Sequence, residues 1–197
     1  MRNHHSRATR ARWSAAVAVA ALAVAAGSAL AATSHSSRAT TYPGKAVTRQ
    51  LARTKAALDK YRSVDAAKAA GYAPASPCEE TPVDHKLSSY GGGMGIHYMN
   101  MALMAPGANL VATKPPILVY APKAGGGLEL VAAEYFQPDA DQNVKTDGDR
   151  PSLFGRGFDG PMLGHAPGMP IHYDLHVWLW KSNPSGVFAP WNPNVTC

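Results

Sequence analysis

Apolar residues recur with a helical period early in the chain. Over residues 46–61, Val47, Leu51, Leu58 and Tyr61 fall on one face of a 3.6-residue repeat. Arg49, Arg53, Lys55 and Lys60 fall on the other. The spacing predicts an amphipathic helix whose role is packing. Ser63 then offers an N-cap, Asp65 an acidic first turn and Gly71 a stop, so a second short helix follows.

After Cys78 the pattern changes. Gly and Pro become frequent, and residues 96–101, 116–120, 128–136 and 171–180 read as strands. Residues 123–127 look like a hairpin loop between two of them. Helices first and strands after give an α+β fold, with a mostly antiparallel sheet and long Gly/Pro-rich loops. Residues 137–170 form the longest loop, and loops of that length in small domains usually serve function or move.

The first residues read differently. Arg2, Arg7, Arg10 and Arg12 precede an apolar run over 14–26, and Ala29-Leu30-Ala31 supplies a small-x-small cleavage pattern. Residues 1–31 are therefore expected to be a secretory signal peptide. The run falls short of the roughly 20 residues a membrane span needs, so no anchor is expected after cleavage. Residues 32–44, rich in Ser and Thr, read as a disordered linker. Residues 45–197 have the length of a single α+β domain.

Cleavage changes the charge. The whole chain carries 19 basic and 13 acidic residues, net +6, and four of the basic ones lie in the leader. The remaining 15 against 13 give +2, so the excess is an address and no footprint for nucleic acid. Export also bears on the only two cysteines, Cys78 and Cys197. In an oxidising compartment they most simply form one disulfide. A cysteine metal ligand and an intermolecular bridge remain the alternatives.

The candidate chemistry lies on the last strand. Alternation puts Ile171, Tyr173, Leu175, Val177 and Leu179 on one face, a core face. His172, Asp174, His176, Trp178 and Trp180 line the other. Imidazole and carboxylate are ligands for zinc, copper or iron. A helix would also bring His172 and His176 together, but Tyr173 stands where H-E-x-x-H needs Glu. His97 sits among the glycines of 91–95, which permit close backbone approach. Glu134, inside the apolar run 130–136, needs a cation, a proton or several donors to offset desolvation. His165 is a loop candidate. The expected ligands are thus His97, His172 and His176, with Glu134 or His165 next, and Asp174 fixing an imidazole tautomer. Tyr98, Trp178 and Trp180 would line a ligand pocket.

Other signals fail. Asp139-Ala140-Asp141-Gln142-Asn143 begins like an EF-hand loop, but Val144 stands where Gly is needed and Arg150 where Glu is needed. It reads as a solvated acidic loop. No G-x-S-x-G motif is present.

The blocks Met94-Gly95-Ile96-His97-Tyr98-Met99-Asn100, Leu130-Val131-Ala132-Ala133-Glu134-Tyr135-Phe136 and His172-Tyr173-Asp174-Leu175-His176-Val177-Trp178-Leu179-Trp180 resemble those of an uncharacterised family of secreted bacterial proteins. So does Asn183-Pro184-Ser185-Gly186-Val187-Phe188. The resemblance implies export and no particular activity. The residues themselves point to a His/carboxylate site for zinc or copper, which in an enzyme would activate water for an unknown substrate. Two other readings stand beside it. One is a carbohydrate-like binding module using Trp and Tyr. The other is a copper carrier, since Met94, Met99, Met101, Met104, Met162 and Met169 accompany the histidines and thioethers suit Cu(I).

Overall fold

A computed structural model describes residues 43–81, 91–104 and 109–197. The expected signal peptide and all of the linker except Pro43 and Gly44 lie outside the described residues. The fold is α+β. Helix α1 (Lys45–Leu58) turns Val47 and Leu51 toward the core and buries Leu58. A 3-10 turn, Asp59–Arg62, ends it, and α2 (Val64–Ala69) follows. Ser63 caps α2 as expected, its hydroxyl accepting from Ala66 N at 3.2 Å. Gly71, at φ +94°, lets the chain leave the helix in a conformation that favours glycine.

The strands are β1 (Ala73–Pro74), β2 (Glu79–Thr81), β3 (Gly92–Met99), β4 (Ile117–Pro122), β5 (Leu128–Pro138), β6 (Ser152–Leu153), β7 (Arg156–Gly157), β8 (Asp159–Met162) and β9 (His172–Val177). The main sheet runs β1-β3-β4-β5-β9-β8, with β2 also on β3. Every pairing is antiparallel. Lys123 to Gly127 close the β4–β5 hairpin, Lys123 N donating to Gly127 O at 3.0 Å.

The two faces of this sheet differ in chemistry. Ala133, Tyr135, Tyr173, Leu175 and Val177 meet Leu58 of α1, and Tyr98, Leu118 and Tyr120 meet Ala67 of α2 and Tyr72. The opposite face carries Ile117, Val119, Ala121, Ala132 and Phe136, packed with Trp178 and Val195. Because side chains alternate along a strand, His97, Glu134 and His176 share this second face.

Two features depart from the sequence pattern. The last strand ends at Val177, where 171–180 was the expected extent. Beyond it Trp178 N donates to Val187 O and Trp180 N to Val131 O, so strict alternation stops. Residues 137–170 also contain more structure than their composition predicts. β6 and β7 form a two-stranded unit and β8 pairs with β9, segments too short to leave a periodic signal. The glycines before His97 do permit close backbone approach, here to other parts of the chain. A Cβ on Gly95 would lie 2.5 Å from Tyr120 O, and one on Gly92 2.3 Å from Asn192 O.

Cys78 and Cys197 form the disulfide, with Cα atoms 5.6 Å apart and a sequence separation of 119. Closing so long a loop limits the unfolded chain, a stabilisation of about 4 to 5 kcal/mol in the chain-entropy account. Among the described residues, no helix is long and apolar enough to cross a membrane.

Candidate metal centre

Three strands each supply one donor. His97 lies opposite Val119 on β4; Glu134 lies opposite both Ile117 on β4 and His176 on β9. The His97 imidazole therefore reaches across β4 to Glu134. His97 Nε2 lies 3.1 Å from Glu134 Oε2, and His176 Nε2 lies 3.5 Å from the same oxygen. The two rings are 6.0 Å apart and nearly perpendicular. One ligand atom from each residue falls within 4.8 Å of the others, so the group could hold a metal ion. All three are buried, at 6%, 6% and 1% exposure.

The polar atoms are poorly satisfied. Glu134 Oε2 and both ring nitrogens of His176 make no aligned hydrogen bond. Buried polar atoms are otherwise almost always paired, so Glu134 Oε2 and His176 Nε2, unsatisfied and facing each other, call for a ligand.

His97 is held from behind. Ser76 Oγ donates to Pro77 O at 2.8 Å and accepts from His97 N at 3.1 Å. Its single proton is thus used, and at 3.0 Å from His97 Nδ1 it acts as acceptor. Nδ1 thus donates to Ser76, and Nε2 faces Glu134. Glu79 Oε1, 3.4 Å from Nδ1, adds negative charge to the same side. A ligating imidazole is typically oriented in this way through its other nitrogen. Neither Ser76 nor Glu79 was expected from sequence, since both lie in a short non-periodic segment. The neighbouring Cys78 was the one available signal.

Electrostatics separates the two imidazoles. Burial alone would lower the His97 pKa, but Glu134 and Glu79 outweigh it and hold it above the usual histidine range. Burial would raise Glu134, but His176 and His97 outweigh it and hold the carboxyl low. Burial lowers the His176 pKa, against the pull of Glu134. The centre thus offers a carboxylate and two imidazoles, from which a cation would displace any proton on the ligating nitrogens.

The remaining sequence candidates lie elsewhere. His172 shares the face but not the cluster. Its Nδ1 donates to Pro170 O at 3.0 Å and its ring stacks on Phe136 at 4.7 Å. His165 is exposed, its ring 5.3 Å from His172. Asp174 orients no imidazole. Its Oδ1 has no partner, and burial, then Glu134 and Asp159, push its pKa up. The expected aromatic pocket is divided between the faces. Tyr98 packs on Tyr120 under α2, and Trp180 Nε1 donates to Asp59 Oδ1 at 2.7 Å on the helical side. Trp178 stays on the metal-centre face, donating to Ala189 O. Met99, Met104 and Met169 pack against the apolar cluster there, the gap-filling use of thioethers.

Comparison of the chain with family models, with curated proteins and with solved structures finds no match.

Proposed function

We propose that this is an exported protein whose His97–Glu134–His176 centre binds a divalent transition metal, zinc or copper(II). The observation that carries the reading is the convergence of one donor atom from each of these three buried residues, with Glu134 Oε2 and the His176 ring nitrogens making no hydrogen bond. Two imidazoles and a carboxylate suit zinc or Cu(II).

Three protein donors are the count found in catalytic zinc sites, where a fourth position takes water or substrate; structural sites close all four. In an enzyme, a metal held here would lower the pKa of that water, and the neighbouring Asp174 would be placed to exchange a proton. The Cys78–Cys197 bridge and the N-terminal leader pattern support export.

Calorimetric titration of the untagged protein with zinc tests the donor set. About one equivalent should bind to the parent chain, and His97→Ala and His176→Ala should each abolish binding. His172→Ala and His165→Ala should leave it within a few-fold. Binding that survives His176→Ala but not His172→Ala would overturn the assignment.

A further inference from the structure

The disulfide joins the chain at the segment that holds His97. Ala75 N donates to His97 O at 2.8 Å, and Glu79 pairs with Gly95. Residues 76–78, between these two ties, belong to no strand. Yet this stretch and the residue after it carry both groups that face His97 Nδ1. Ser76 Oγ lies 3.0 Å from that nitrogen and Glu79 Oε1 3.4 Å. Ser76 Oγ also accepts from His97 N at 3.1 Å. Cys78 sits between Ser76 and Glu79 and is fixed covalently to Cys197.

The other end of the bridge belongs to the cover over the metal-centre face. Val195 is 1% exposed and packs in the apolar cluster with Val119, Phe136 and Trp178. Its carbonyl accepts from Gly93 N at 2.8 Å, and Asn192 N donates to Gly93 O at 3.1 Å. Gly93 lies on β3, the strand that carries His97. A Cβ there would lie 2.8 Å from Val195 Cγ1, so the cover is pressed against that strand. The bridge therefore ties the cover to the clamp on His97. Cys197 is exposed and Cys78 half-buried, which leaves the bridge open to attack from solvent.

We infer that the Cys78–Cys197 bridge controls how tightly the His97–Glu134–His176 centre retains its metal, an inference that rests on the metal-binding function proposed for that centre. An external dithiol would attack one sulfur, break the S–S bond and close to its own disulfide. Both cysteines then become thiols, the two electrons and two protons coming from the dithiol. Residues 76–78 lose their covalent tie, and with it the fixed placement of Ser76 and Glu79 against Nδ1. Losing the group that orients a ligating imidazole weakens metal binding about 10- to 100-fold. Reduction would thus release metal without altering a ligand.

Calorimetric zinc titration of the oxidised parent and of the Cys78→Ser/Cys197→Ser variant tests this. The serine pair stands for the open bridge without leaving thiols that would bind zinc themselves. Circular dichroism checks folding, and sucrose, which favours the compact state, carries the comparison if the variant is marginal. The variant should bind zinc about 10- to 100-fold more weakly than the parent. Ser76→Ala should cost the parent far more affinity than it costs the variant, where the clamp is already loose. A bridge that serves global stability alone would make the two costs equal. A parent that binds zinc beside a folded variant of equal affinity, or equal costs of Ser76→Ala in both, would overturn the switch and leave the metal centre standing. A parent that takes up no zinc would overturn the metal-binding function itself.

Discussion

Ser76 has one hydroxyl proton, and Pro77 O takes it. Ser76 Oγ is thereby left as an acceptor for His97 Nδ1, on the side of the ring away from Glu134, and this gives a direct test. Replacing Ser76 by Ala removes the acceptor for Nδ1–H without touching a proposed ligand. Metal affinity should fall about 10- to 100-fold, the usual effect of losing such a partner, with the fold retained. Unchanged affinity would mean that Glu79 alone orients the ring. His176 illustrates the opposite condition, a fully buried imidazole with both nitrogens unpaired. Its residue type and strand position are visible in sequence, as are those of His97 and Glu134. What sequence cannot show is that His97 crosses β4 to reach Glu134 while His172, on the same strand face as His176, is turned to Phe136 and Pro170 O. Face membership follows from a period of two; which members meet depends on the order of strands.

At the scale of elements, α1 is tied to the end of β9 through Asp59. Its Oδ1 accepts from Trp180 Nε1 at 2.7 Å, from Arg62 at 3.1 Å and from Lys55 at 3.2 Å. The Trp180 bond, then Arg62, lower the Asp59 pKa to about 2. A carboxylate with a depressed folded-state pKa stabilises the fold above its unfolded value near 3.8, and that contribution fades as pH falls toward 2. Asp59→Asn should therefore be less stable than the parent at pH 7, with the gap in urea midpoint narrowing by pH 3. A gap constant from pH 7 to pH 3 would contradict this role. The helices and central strands could be read from periodicity because each is long enough to repeat its pattern. β2, β6, β7 and β8 could not, having four residues or fewer. Trp180 was assigned to the wrong face because the strand was extended three residues past Val177, and alternation holds only while the ladder lasts.

For the whole molecule, the sheet divides labour between its faces. One packs on α1 and α2; the other holds the buried donors beneath an apolar cover that includes Trp178 and Val195. The C-terminus is part of that cover, and Cys197 binds it to Cys78, within three residues of both Ser76 and Glu79. Reducing the bridge should lower unfolding stability by about 4 to 5 kcal/mol, measured by denaturant titration with and without reductant. Equal stability in both states would show that the bridge adds nothing to the fold. The central claim is that the two imidazoles and Glu134 hold a metal. The most direct measurement is elemental analysis of the mature, untagged protein, alone and after equilibration with zinc or copper(II). About one equivalent of transition metal per chain is expected, lost in the His97→Ala/His176→Ala double variant. Metal-free protein that takes up neither ion, with unchanged melting on their addition, would contradict it.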